Sequence, residues 1–235
     1  MEIVSHPVAF RSDDATIDCY LSFPLARDPC PAILVLSERY GLVEYVKDVS
    51  RRLAREGYVA LAPEMRSRRE FEELIKGSYS MIAVKDSYCV ILYLQSLDFV
   101  SKENIGVIGF CWGGYIAGLL ACLEPGLKGA VIYYGETHKE RTVKNPLCVP
   151  EIADSLYCPL LGLYAEIDDH PKLEDVRKFE QALKLHGKDY EFKIYAGAKH
   201  GFHNDTMPER YHREAAEDAW HKTLNFFARH LGRSV

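Results

Sequence analysis

The sequence predicts an α/β fold in which a mostly parallel central sheet carries helices on both faces. Three observations point to it. Short apolar runs alternate along the chain with segments whose apolar residues recur at helical spacing. The run at residues 32–36 is apolar at every position, as in a strand buried on both faces of a parallel sheet. The run at 105–108 passes through Gly109-Phe110-Cys111-Trp112-Gly113-Gly114 straight into a helix-like segment at 115–120. Strands that alternate with amphipathic helices join side by side through right-handed crossovers, which gives one sheet covered on both sides.

The chain opens with two strands expected to be antiparallel, the second alternating through Ile17, Cys19, Leu21 and Phe23. The run at 32–36 follows as a central strand. Val46, Val49 and Leu53 then share one helical face. The strand at 58–62 is stopped by Pro63, and a longer helix carries Met81, Val84, Tyr88, Ile91 and Leu92 on its apolar side. After the Cys111 strand and helix come strands at 130–134 and 159–164. A helix marked by Leu173, Val176, Phe179 and Leu183 ends near Gly187. The strand at 190–195 alternates, and a last helix packs through Ala216, Trp220, Leu224, Phe227 and Leu231. No repeat, low-complexity tract or linker breaks this order, so residues 1–235 read as a single domain.

A chain of 235 residues with 48% hydrophobic residues has enough material for one large core. Its formal net charge of −5 points away from nucleic acid, and the longest basic cluster is Arg66-Ser67-Arg68-Arg69. No run approaches the ~20 apolar residues of a membrane span, and residues 1–7 lack the pattern of a signal peptide. The seven cysteines form no CxxC pair, and Cys19, Cys89, Cys122 and Cys158 lie in apolar contexts. A reducing, cytoplasmic setting is therefore expected. Neither a GxxxxGK(S/T) nor a GxGxxG pattern is present, and no cofactor is expected.

The chemistry gathers at Cys111. A strand that stops on Gly-x-nucleophile-x-Gly and turns at once into a helix is the nucleophile elbow of the α/β-hydrolase fold, here with cysteine as the middle residue. Such an elbow needs an acid and then a histidine, each at the end of a later strand. The strand at 159–164 leads to Glu166, Asp168 and Asp169, any of which can serve as the acid, and the strand at 190–195 leads to His200. A free thiol titrates near ~8.5 and must lose its proton to attack. The start of the following helix, a histidine base and an acid that orients the imidazole all favour that loss. The backbone N–H of Trp112 is expected to form half of an oxyanion hole. The loop after the third strand, Ser37-Glu38-Arg39-Tyr40-Gly41, is expected to supply the other half through the N–H of Arg39.

Glu38 stands out because a carboxylate at the end of a central apolar strand is costly to bury unpaired. It reads either as a loop residue paired with Arg39 or solvent, or as a proton acceptor or orienting group for the thiol. Tyr40, Trp112, Tyr133 and Tyr134 line an apolar pocket on one reading and belong to the core on the other. Tyr40 and Gly201, next to the histidine, are the expected substrate contacts. His200 and His203 have the spacing of a metal pair, but no third ligand stands at a metal-site spacing, so no metal is expected. His138 and His170 read as loop histidines.

In four segments the chain resembles the dienelactone hydrolase (carboxymethylenebutenolidase) family. They are Ser37–Gly41, Gly109–Gly114, Tyr164-Ala165-Glu166-Ile167-Asp168 and Tyr195-Ala196-Gly197-Ala198-Lys199-His200-Gly201-Phe202, with residues 55–64 as a less specific fifth. The resemblance implies the α/β-hydrolase fold and a Cys111–His200–Asp168 triad. Asp168 is chosen because it aligns with the family's Gly-x-x-Asp, although Ala165 replaces the glycine. The resemblance also implies that Glu38 takes the thiol proton only when substrate binds. The implied reaction is opening of an enol-lactone such as 4-carboxymethylenebut-2-en-4-olide to maleylacetate through an acyl-enzyme. One departure is Asn204, which stands where family members acting on dienelactone hold the substrate carboxylate with an arginine. Arg66, Arg68 or Arg69 are the alternative sources of that charge. The expected partner is a small lactone or ester, with no nucleic acid or membrane, and the expected assembly is a monomer or weak homodimer. The competing readings are a thioesterase or other acyl hydrolase using the same residues, and a non-catalytic ligand binder or thiol sensor.

Overall fold

The apolar runs become strands of one eight-stranded sheet in the computed structural model, which describes residues 1–12, 15–67, 80–137 and 147–232. The strands are β1 (Ile3–Ser12), β2 (Ala15–Pro24), β3 (Cys30–Leu36), β4 (Val59–Pro63), β5 (Val100–Phe110), β6 (Gly129–Tyr133), β7 (Leu160–Ile167) and β8 (Tyr190–Lys199). Their spatial order is β1-β2-β4-β3-β5-β6-β7-β8. The β1–β2 and β2–β4 pairs are antiparallel, as the opening alternation predicts for the first two strands, and the remaining pairs are parallel. The helices are α1 (Glu44–Arg55), α2 (Ser80–Ser96), α3 (Trp112–Leu123), α4 (Leu173–Leu185) and α5 (Arg213–Leu231).

Because both faces are covered, successive residues of a central strand feed two different cores. Ala32, Leu34 and Leu36 of β3 belong to the core that includes residues of α2, α3 and α4, whereas Ile33 and Val35 belong to the core that includes residues of α1 and α5. This is why β3 is apolar throughout while β2, near the edge, alternates. In α5, Ala216, Trp220, Leu224, Phe227 and Leu231 are all buried, as their spacing predicts.

Helix α2 departs from expectation. Val84 and Ile91 are buried, but Tyr88 and Leu92 are 43% and 47% exposed, and Ala83, Asp86, Ser87 and Val90 face inward instead. Small residues allow close approach to the sheet. Asp86 is tolerated inside because its Oδ1 accepts a 2.7 Å hydrogen bond from Ser12 Oγ. A short 3-10 segment, Val149–Ser155, was not expected from periodicity. Among the described residues no helix is long and apolar enough to cross a membrane.

Candidate active site

Four strand ends set the site: Glu38 follows β3, Cys111 follows β5, Asp168 follows β7 and His200 follows β8. All four line one cavity of about 640 Å³ at the carboxyl edge of the sheet, together with Arg39, Tyr40 and Trp112. The residues that sequence patterning singled out from distant segments thus meet in one place.

The elbow shows the conformation its glycines allow. Cys111 has φ 53° and ψ −117°, a region where a side chain costs about 1–3 kcal/mol unless its surroundings hold it. Two backbone hydrogen bonds hold it: Cys111 N–H donates to Tyr133 O (3.0 Å), and Tyr115 N–H donates to Cys111 O (3.2 Å). A Cβ at position 109 would collide with the Gly113 carbonyl, and one at position 113 would collide with that of Leu36. Glycine there lets the strand, turn and helix close together. Cys111 caps α3, so its sulfur sits by the positive end of the helix dipole, and Trp112 is the first helical residue.

His200 Nδ1 donates to Asp168 Oδ2 at 2.9 Å, and the Asp168 side chain is only 2% exposed. The backbone N–H of His170 donates to the other Asp168 oxygen at 2.8 Å, so both carboxylate oxygens are held. Burial alone would lower the His200 pKa. Hydrogen bonding to Asp168 and to the Cys111 sulfur, with the electrostatic pull of the same two side chains, overrides it and pushes the imidazole up to about 10. The two other carboxylates that sequence left open lie elsewhere. Glu166 is exposed and accepts from Gly197 N–H at 2.8 Å, while Asp169 lies at the exposed rim of the cavity.

Glu38 is 4% exposed and is not paired with Arg39: its Oε2 accepts from Asn204 Nδ2 at 3.1 Å. Burial raises its pKa, opposed by the Asn204 hydrogen bond, His200, Tyr134 and Arg210. Asn204 is 1% exposed, and its Oδ1 accepts from both the backbone N–H (3.1 Å) and the hydroxyl (2.7 Å) of Thr206. Its amide nitrogen therefore faces Glu38, and its oxygen is held by Thr206.

The core reading of Tyr133 and Tyr134 holds, and the expected substrate contact of Gly201 is corrected. Tyr133 and Tyr134 do not line the cavity; both are fully buried, and the Tyr133 hydroxyl lies 2.7 Å from Thr223 Oγ1. His203 forms no metal pair with His200. It is buried at 3% exposure with Nδ1 2.6 Å from the Tyr45 hydroxyl, and burial, with help from Arg52, lowers its pKa to about 3. Gly201 does not line the cavity either. Its φ of 81° turns the chain after His200, and its backbone lies close to the Arg210 side chain. Arg66 is anchored through Nη1 to Tyr40 O at 3.1 Å, while Arg68, Arg69 and His138 lie outside the described residues. Sequence reasoning missed Glu136, Lys199 and Arg210, which also line the cavity. Lys199 is the last residue of β8, beside His200, whereas Glu136 and Arg210 reach the site from loops in which nothing in the local pattern marks them.

An eight-stranded sheet of this order, with a Gly-x-Cys-x-Gly turn after β5 and an Asp–His pair after β7 and β8, defines an α/β-hydrolase. The profile of the dienelactone hydrolase family matches residues 17–231. A 32% identical relative, named "Putative carboxymethylenebutenolidase" in Escherichia coli strain K12, aligns over 98% of this chain and 89% of its own length. A crystal structure described as a "Putative Dienelactone Hydrolase" from Klebsiella pneumoniae superposes with TM-score 0.91 at 31% identity, covering 97% of this chain and 100% of that one. A dienelactone hydrolase-like promiscuous phosphotriesterase from metagenomic libraries shares the fold, with TM-score 0.85 at 20% identity over 98% of this chain and 99% of that one. The chain belongs to the dienelactone hydrolase family.

Proposed function

We propose that the chain is a cofactor-free hydrolase of small lactones or esters that works through Cys111 and an acyl-enzyme. The observation that carries this reading is the His200–Asp168 hydrogen bond, held at the strand ends beside an elbow cysteine in a strained backbone conformation. Family membership supports the reaction class.

In this mechanism Glu38, whose burial raises its affinity for a proton, takes the Cys111 thiol proton when substrate enters. The His200 imidazolium stabilises the thiolate by charge. The thiolate attacks the acyl carbon, and the N–H groups of Arg39 and Trp112 stabilise the oxyanion. His200 then protonates the departing oxygen, becomes neutral, and takes a proton from the water that attacks the thioester; as the C–S bond breaks the sulfur leaves as thiolate, and Glu38 returns its proton to restore the thiol. Asp168 holds the ring in the tautomer that does this. Tyr40 bounds the substrate. Arg39, Lys199 and Arg210 line the cavity together with Glu38, Glu136, Asp168 and Asp169, so its walls offer both signs of charge to a substrate.

The test is hydrolysis of dienelactone and a set of short aryl esters by wild type and Cys111→Ala side by side. Loss of turnover by at least about 10³-fold in the variant, with an unchanged circular-dichroism spectrum, is expected. Equal rates would sink the cysteine mechanism.

A further inference from the structure

Glu64 closes the family-like stretch 55–64 and Arg66 opens the basic cluster, and the hydrolytic mechanism uses neither. Both meet the loop that carries the proposed oxyanion donor. Residues Glu38 to Gly41 close a tight turn: Gly41 N–H donates to Glu38 O at 3.1 Å, and Arg39 and Tyr40 are its two central residues. Glu64 follows β4 directly, and β4 pairs in parallel with β3, the strand that feeds the turn. Its own N–H donates to Asp18 O at 2.6 Å, which pins it to the sheet through β2. From there both carboxylate oxygens are engaged. Oε2 accepts from Leu42 N–H at 3.0 Å, just beyond the turn, and Oε1 accepts from Arg66 N–H at 2.9 Å, within the 3-10 segment Met65–Ser67. Arg66 reaches back, its Nη1 donating to Tyr40 O at 3.1 Å. The approach is close enough to require glycine at 41, where φ is 77° and a Cβ would collide with Glu64 Oε1 and the Arg66 side chain.

We propose that Glu64 and Arg66 are positioning residues that hold the Glu38–Gly41 turn so that the Arg39 N–H is aimed into the active-site cavity. The proposal rests on the reading of that N–H as an oxyanion donor. Neither side chain is among the walls of the cavity, so both act through the backbone they grip. An oxyanion donor stabilises a transition state only if it is already aimed when the charge develops. The turn lies outside β3 and α1, so the regular elements do not set its geometry, and the hydrogen bonds to Tyr40 O and Leu42 N–H do.

A carboxylate suits this grip because both of its oxygens accept. Glu64→Gln keeps the shape but presents an NH₂ group to one of the two backbone N–H groups, which breaks one hold without opening a cavity.

The experiment compares wild type, Glu64→Gln and Arg66→Met in two reactions of Cys111. Hydrolysis of 4-nitrophenyl acetate builds an oxyanion. Alkylation by iodoacetamide, followed by the mass of the Cys111 peptide, does not, because the thiolate displaces iodide from a saturated carbon. In Glu64→Gln, kcat is expected to fall about 10- to 100-fold, with KM changed by less than about threefold, since the lost interaction exists only in the transition state. Alkylation is expected to keep its wild-type rate. Arg66→Met, which loses only the hold on Tyr40 O, is expected to show the same split at about threefold in kcat. A merely structural role predicts that hydrolysis and alkylation fall together, or that neither moves, and either result overturns the proposal. Loss of turnover in Cys111→Ala with wild-type kcat in both clamp variants removes only the clamp. Full turnover in Cys111→Ala removes the hydrolytic reading and the catalytic use of the turn. Deuterium exchange at residues 37–43 then decides the clamp itself: faster exchange in Glu64→Gln than in wild type supports it, and equal exchange overturns it. Should Glu64→Gln fail to fold, Arg66→Met, a change on an exposed side chain, decides by the same split.

Discussion

His200 and His203 stand on one loop between β8 and α5, separated by a single tight turn, yet occupy opposite environments. Gly201, with φ 81°, and the hydrogen bonds Phe202 N–H to Lys199 O (3.1 Å) and Asn204 N–H to Gly201 O (2.9 Å) make that turn. It leaves His200 facing the open cavity, where Asp168 and the Cys111 sulfur push its pKa up to about 10. His203 points into an aromatic compartment of Tyr45, Phe110, Tyr133 and Trp220, where its pKa falls to about 3. The same side chain thus gains proton affinity in one compartment and loses it in the other. The difference teaches that spacing along the chain says little about shared function once a turn intervenes.

The harshest way to break this comparison is to substitute both histidines identically. His200→Gln is expected to lower ester turnover on the order of 10³- to 10⁴-fold, because both proton transfers pass through this ring. The same change at His203 is expected to cost on the order of tenfold. Equal losses, read from kcat/KM on one aryl ester, would mean that the two environments are not functionally distinct.

Asp168→Asn sharpens the contrast from the acid's side. Replacing the carboxylate removes its charge and presents an amide to the ring, and a loss of about 10²- to 10⁴-fold is expected. The imidazole resonances of His200, followed by NMR, should titrate at a lower pH in this variant. Glu166→Gln, on an exposed side chain bonded to Gly197 N–H, should leave that titration where it is. A displaced His200 titration in Glu166→Gln would reassign the acid.

Much of this arrangement was legible in the sequence, and its limits have physical reasons. Strands buried on both faces announce themselves because every position must be apolar, as in β3. The elbow announces itself because only glycine fits at 109 and 113. The inward face of α2 did not, because Ala83, Ser87 and Asp86 are inside for close packing and a hydrogen bond to Ser12, and hydrophobicity ranks them below the exposed Tyr88 and Leu92. The pairing of Asn204 with Glu38 and that of His203 with Tyr45 join residues 166 and 158 positions apart. Only the completed sheet order brings such groups together, so no local pattern encodes them. Arg210 escaped for the same reason, reaching the cavity from a loop that carries no motif.

The smallest expected effect, and the most discriminating, is the sign of each histidine's contribution to stability as pH changes. The unfolded chain titrates histidine near ~6.5. For His200 the folded pKa is raised, so the stability it contributes is complete below about pH 6.5 and is lost as pH climbs toward 10. For His203 the folded pKa is depressed, so its contribution is present above about pH 6.5 and is lost as pH falls toward 3. Each slope is at most about 1.4 kcal/mol per pH unit for one proton. Urea unfolding of wild type, His200→Gln and His203→Gln at pH 5, 7 and 9 separates the two. The gap between wild type and His203→Gln should shrink from pH 7 to pH 5, and the gap between wild type and His200→Gln should shrink from pH 7 to pH 9. Gaps that stay constant across the range would show that neither ring differs in proton affinity between the folded and unfolded chain, and the opposition between the two compartments would fall with them.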